Sequence, residues 1–342
     1  VMVHLIANGE QSGKLDQMLE RVAVSQAQEI ESRVTTLTSL LEPVLILFMG
    51  VVVLLIVVVV RASRQARPPI SAGRTYLLLL VGAVVNLLVV ITVGFIQGGW
   101  APLLVLLHGY GQSGELVDQY LGVTAQAAER GLYVLLAEGT PKVPGEQRWD
   151  AGTSCCNFTP NPTDDVGYLS GLIDEAVATG AVDAERVYLL GYSNGGFMAY
   201  RMACDQADVI AAVAVLAGAD VPTSDPCEPS EAVSVLHLHG TADPLVPYAG
   251  GQFGKASPFP GAELTVARWA ARNHCERGPE PGPALDLSGD LDGEETSTTL
   301  YSDCADGAQV QLDSIAEANH EPAVDPEALG TDVLDWLLAQ RR

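Results

Sequence analysis

The chain has 342 residues, with 42 acidic against 18 basic side chains and a net charge of −24. That balance excludes a nucleic-acid partner, because phosphate contacts require a basic surface. Residues 99–342 hold 36 of the acids and only 11 of the Lys/Arg, so this part reads as a strongly acidic, solvated unit, while residues 1–98 are close to neutral.

Residues 1–42 read as an amphipathic helical segment. It contains Gly9-Glu10-Gln11-Ser12-Gly13 and ends in Leu41-Glu42-Pro43, ahead of an apolar run. This arrangement resembles the C-terminal end of the inner-membrane F protein of type II secretion and type IV pilus machines, over about residues 1–56. Most of that family's length is missing, so its secretion function is not carried over. Residues 43–98 contain two uncharged apolar runs, 44–60 and 76–96, each long enough to span a bilayer. The linker at 61–75 carries Arg61, Arg64, Arg67 and Arg74 and no acid. A basic loop between two spans predicts a membrane hairpin with the loop in the cytoplasm and both ends outside. The F-protein resemblance implies the opposite orientation. All six cysteines lie beyond residue 150 with no C-x-x-C pair, which favours disulfides and an extracytoplasmic C-terminal domain. Cys275 and Cys304 bracket one loop-rich excursion and are the first pair expected.

From residue 99 the pattern alternates between strands and helices, as in a parallel sheet with crossover helices. Strands are predicted at 103–107, 132–136, 186–190, 209–216, 233–239, 300–301 and 310–315. Helices are predicted at 115–130, 164–179, 197–207, 262–274 and 326–340. Residues 140–162 form a long loop with Trp149, Cys155 and Cys156, and 278–295 a polar Gly/Pro-rich one. Trp149 either lines an ester- or sugar-binding cleft or shields the loop from solvent. Asp165 reads as a cap or orienting residue for the helix behind it.

The strand at 186–190 runs into Gly191-Tyr192-Ser193-Asn194-Gly195-Gly196 and then a helix. Strand, Gly-flanked turn and helix is the setting in which G-x-S-x-G presents a nucleophilic serine. Ser193 needs a histidine base and an acid that orients it, in the chain order Ser, Asp, His. Asp243 follows the strand at 233–239 through His239-Gly240-Thr241-Ala242; Asp220, after the preceding strand, is the rival. Of six histidines only His274 and His320 come later. His274 falls in a helix, whereas His320 lies in a loop just ahead of the last helix, where the base belongs. His237 and His239 read as residues packed at a strand end. Oxyanion donors are expected from the backbone N–H of Asn194, after the nucleophile, and of Tyr110, in the loop His108-Gly109-Tyr110. No third ligand lies in spacing with His237 and His239, so no metal site is expected from them.

Leu107 to Ser113, Cys155-Cys156, Asp164 to Leu169, Gly191 to Gly196, Met202-Ala203-Cys204 and His239 to Asp243 fall in order. Together they resemble the polyhydroxybutyrate depolymerase and feruloyl/acetylxylan esterase group of α/β-hydrolases, over about residues 100–340. The resemblance implies an α/β-hydrolase fold and a triad of Ser193, Asp243 and His320. It also implies a secreted, disulfide-bearing enzyme without a cofactor, acting on hydroxyalkanoate, feruloyl or acetyl esters. The family's Trp-Pro after the histidine is replaced here by Glu321-Pro322. The alternative from another class is a membrane component of a secretion or pilus system with a non-catalytic hydrolase-like domain. A peptidase of the same fold is a third reading.

Overall fold

The computed structural model describes residues 100–342, apart from 142–145, 157–161 and Pro226. The expected helical segment 1–42 and the spans 44–60 and 76–96 lie outside the described residues. Among those described, no helix is long and apolar enough to cross a membrane.

Eight strands form one sheet, and runs of Leu, Val and Ala account for its centre. In chain order they are β1 (Ala101–Leu107), β2 (Tyr133–Ala137), β3 (Val182–Tyr192), β4 (Ala212–Leu216), β5 (Ser234–Gly240), β8 (Arg277–Pro281), β9 (Thr296–Ser302) and β10 (Val310–Ile315). Two short strands, β6 (Gly250–Gly251) and β7 (Phe259–Pro260), pair apart from it. The order across the large sheet is β2-β1-β3-β4-β5-β10-β9-β8. The strands from β2 to β10 run parallel; at one edge β9 pairs antiparallel with β10, and β8 antiparallel with β9. This is the α/β-hydrolase arrangement of a mainly parallel sheet. Strands buried on both faces need no polar alternation, which is why these segments read as continuous apolar runs.

Alternate side chains enter two separate cores. Leu103, Val105, Val187, Leu189, Val213 and Val235 face α3 (Asp165–Ala178), α4 (Asn194–Asp205) and α5 (Ala262–Arg272). Leu104, Leu106, Tyr188, Leu190, Ala214 and Leu236 face α1 (Gly114–Leu121), α2 (Val123–Glu129) and the closing helix. The closing helix runs from Pro326 through a wider π-helical stretch, Leu329–Leu334, to Leu338.

Three local expectations are corrected. The helix expected at 115–130 breaks at Gly122, whose left-handed φ of 68° ends α1 and starts α2. The polar loop expected from 278 opens as the exposed edge strand β8. Asp164, not Asp165, caps α3, accepting the Gly167 N–H at 2.8 Å. Asp165 is buried and accepts the Asp150 N–H at 2.6 Å and the Thr140 hydroxyl at 3.2 Å, so it ties the long loop to the helix start. The six cysteines pair as Cys155–Cys156, Cys204–Cys227 and Cys275–Cys304, the last being the pair expected.

Candidate active site

Four loops leave the same end of the sheet, after β1, β3, β5 and β10, and supply the site. The turn between β3 and α4 comes first. Ser193 there has φ 53° and ψ −117°, a conformation a non-glycine residue keeps only when its surroundings enforce it. They do so through the Ser193 N–H, which donates to the Leu216 carbonyl at 2.9 Å, and the Ser193 carbonyl, which accepts from Gly196 at 2.8 Å and Phe197 at 3.1 Å. Gly195 lies so close to β1 that a Cβ would collide with the Leu107 carbonyl. Gly195→Ala is therefore expected to cost about 3 kcal/mol or more and to lower Tm by about 10 °C. Gly171→Ala is the control: its Cβ would meet nothing within 4 Å on α3, and thermal unfolding should be unchanged or slightly improved.

The structure brings Ser193, His320 and Asp243 together. Ser193 Oγ and His320 Nε2 are 2.9 Å apart, and His320 Nδ1 is 2.7 Å from Asp243 Oδ2. A carboxylate only accepts, so Nδ1 carries the proton and the bare Nε2 faces the serine hydroxyl. Asp243 is buried, and its Oδ1 accepts the N–H groups of Leu245 at 2.8 Å and Val246 at 2.9 Å. Burial alone would raise its pKa. Hydrogen bonds from His239, His320 and the Val246 N–H outweigh burial and hold the carboxyl well below the usual carboxylate range. The rival Asp220 is buried elsewhere, with Trp269 Nε1 at 3.2 Å and Arg272 at 2.9 Å. His274 is exposed at the end of α5.

The two expected oxyanion donors occupy two of these loops. The Asn194 N–H is the first of α4, where the helix start leaves N–H groups without intrahelical partners. Tyr110 stands in the loop after β1 and is 43 % exposed. That loop is tied down on several sides. Gln112 Oε1 accepts the Gly109 N–H at 3.1 Å, and the Gly111 N–H donates to the Gln147 carbonyl at 2.8 Å. His108 is fully buried; its Nδ1–H donates to the Gly109 carbonyl at 2.7 Å, and Nε2 accepts the Gly139 N–H at 2.9 Å. Burial lowers its pKa to about 4, so near neutral pH it is an uncharged brace.

Trp149 does not line an open cleft. Its side chain is fully buried, and its indole N–H donates to the His108 carbonyl at 3.0 Å. The Asn194 side chain clasps its backbone, Oδ1 to the Trp149 N–H at 2.8 Å and Nδ2 to the Trp149 carbonyl at 3.0 Å. The tryptophan thus joins the loop after β1 to the start of α4. A cavity of about 500 Å³ beside Asp150, Thr153, Asp164 and Arg201 includes none of the three central residues.

Two contributors were missed in the sequence. Tyr192, the residue before the serine, donates its hydroxyl to Glu321 Oε1 at 3.1 Å and sets its ring 5.4 Å from that of His320. Tyr120 donates to the Pro322 carbonyl at 2.6 Å. Together they clamp the histidine loop through Glu321 and Pro322. The unusual Glu321 was the available signal. Among the described residues, no group of three or more His, Cys, Asp or Glu is placed to hold a metal ion. A bare imidazole facing a serine hydroxyl, with N–H groups on two adjoining loops, can carry nucleophilic attack on a carbonyl carbon.

Comparisons with known proteins agree with both resemblances. Residues 97–257 match the phospholipase/carboxylesterase family model, and residues 1–60 match that of type II secretion system protein F. Feruloyl esterase B of Piromyces equi is 29% identical over 66% of the chain and 41% of its own length. Type II secretion system protein F of Aeromonas hydrophila is 51% identical over 15% of the chain and 14% of its own length. The chain thus spans less than half the length of either curated relative. An acetyl xylan esterase structure from Aspergillus awamori is 14% identical with a TM-score of 0.49, covering 69% of this chain and 88% of that one.

Proposed function

We propose that residues 99–342, with their phospholipase/carboxylesterase match, form a serine carboxylic ester hydrolase. The observation that carries this reading is the unbroken file Asp243–His320–Ser193, with the serine held in a strained turn. Ser193 Oγ attacks the ester carbonyl carbon and its proton passes to His320 Nε2. Asp243 stabilises the imidazolium, and the N–H groups of Tyr110 and Asn194 receive the oxyanion. The C–O bond to the alcohol then breaks and His320 returns the proton to the departing oxygen. Water, deprotonated by the same histidine, attacks the acyl carbon; the bond to Ser193 Oγ breaks, His320 returns the proton to Oγ, and the acid leaves. No cofactor enters these steps. Feruloyl, acetyl and hydroxyalkanoate esters are the proposed substrates, the first supported by the Piromyces relative. Three disulfides support a site outside the cytoplasm, with membrane attachment through 44–60 and 76–96 as part of the proposal.

The test is hydrolysis of p-nitrophenyl acetate and butyrate, methyl ferulate and a hydroxybutyrate oligomer by the full chain and its Ser193→Ala variant. Activity that disappears in the variant is expected. A folded wild-type protein silent on every ester would sink the proposal. The match over residues 1–60 favours a second reading, a membrane component of a secretion system. Co-purification with secretion proteins together with absent esterase activity would support it.

A further inference from the structure

Behind Asp243 lies a file of buried polar groups that the reaction above does not use. His239 Nε2 is 2.7 Å from the Val246 carbonyl and 3.3 Å from Asp243 Oδ2. Its Nδ1 is 3.0 Å from His237 Nε2, and His237 Nδ1 is 2.7 Å from the Tyr200 hydroxyl. His237, His239 and Tyr200 are all essentially buried. A carbonyl only accepts, so His239 must carry its proton on Nε2. In the neutral ring Nδ1 is then bare and accepts from His237 Nε2–H, and the bare His237 Nδ1 accepts from the Tyr200 O–H. Every bond in the file therefore has the same polarity, with hydrogens directed toward Asp243.

We infer that His239 is a positioning residue for the Ser193 reaction: locked in its Nε2–H tautomer by His237 and Tyr200, it holds both Asp243 and the turn that carries it. This rests on the esterase reading. Asp243 Oδ2 has the His320 proton on one side and His239 on the other, while Oδ1 is taken by Leu245 and Val246. The carboxylate cannot rotate without breaking one of these. The same Nε2–H anchors Val246, whose own N–H holds Oδ1, so turn and carboxylate are fixed by one ring. The aligned neutral dipoles also favour a negative charge at Asp243. Burial pushes the His237 pKa well below its ordinary value, with His239 adding to the effect, so His237 itself is uncharged. The other groups facing the file are Tyr248, whose ring meets His239 edge-on at 5.7 Å, and Asp220 with Arg272 beyond Tyr200.

Two measurements test this. Long-range ¹H–¹⁵N spectra of wild-type protein labelled in histidine read the tautomers directly, without any ester. Nε2–H is expected at His237 and His239, and an Nδ1–H tautomer at His239 would overturn the inference. The second compares His239→Leu with His239→Gln, whose amide N–H can reach the place of Nε2. The leucine variant, shown to be folded by near-ultraviolet circular dichroism, is expected to lose about tenfold or more in kcat. KM should change little, and the acid limb of kcat/KM should move up by about half a pH unit as Asp243 draws harder on the His320 proton. The glutamine variant should recover most of the loss. Unchanged kcat and acid limb in the folded leucine variant, or a loss that glutamine does not restore, would reduce His239 to a packing residue. A wild-type protein silent on every ester would remove the esterase reading but leave the tautomer result standing.

Discussion

Asp243→Asn is expected to lower kcat on any ester by about 10⁴-fold while leaving the protein folded. Asn Oδ1 can still accept the N–H groups of Leu245 and Val246, which Asp243 Oδ1 holds at 2.8 and 2.9 Å, so the turn survives. The amide NH₂ then stands where Oδ2 was, 2.7 Å from His320 Nδ1. A donor there forces the imidazole into the opposite tautomer, with Nε2–H pointing at Ser193. The base can no longer take the serine proton, and an imidazolium, once formed, loses its counter-charge. The measurement is kcat on p-nitrophenyl acetate beside a thermal unfolding curve. A loss of less than tenfold in a folded variant would remove Asp243 from the proposed triad.

Asp220→Ala is expected to do the reverse: about 3–5 kcal/mol of stability lost, with kcat preserved in the fraction that folds. The Asp220 carboxylate is fully buried, and one oxygen accepts the Trp269 indole N–H while the other pairs with Arg272 at 2.9 Å and Arg268 at 3.9 Å. Truncation leaves the partly buried Arg272 guanidinium and the buried indole N–H without their acceptor. The penalty is that of stranded donors, which exceeds the worth of the pair itself. Denaturant titration measures the loss, and kcat below the unfolding transition measures the rest. A fall in kcat as large as that of Asp243→Asn would make Asp220 part of the chemistry.

These two aspartates show how far the sequence carried. Both follow parallel strands that finish at the same end of the sheet, so position could rank them but could not show what each carboxylate touches. The elbow at Ser193 was legible because its requirements are local: a strand, a sharp turn and small flanking residues. His320 was legible by chain order and by its place before the last helix. Trp149 was not, because a tryptophan in a long loop carries no sign of whether that loop folds inward. Its burial depends on His108 and Asn194, 41 and 45 residues away. The break at Gly122 lay inside an uninterrupted helical pattern, since a single glycine is compatible with either outcome. His237 and His239 showed the period of two expected of a strand, and only the neighbouring helix, through Tyr200, makes them a directed file.

The site is also assembled from distant parts of the chain. His320 meets Asp243 across 77 residues of chain and Ser193 across 127. Between Asp243 and His320 the chain must complete α5 and the β8–β9 edge before β10 can take its place beside β5. Contacts of such separation incur a large loop-closure entropy during folding and are rewarded only once the intervening elements dock. A refolding chain can therefore regain helix and strand content while its serine still lacks a base. Returning ester hydrolysis would time the final closure of the sheet, and it would report on assembly that secondary-structure signals do not see.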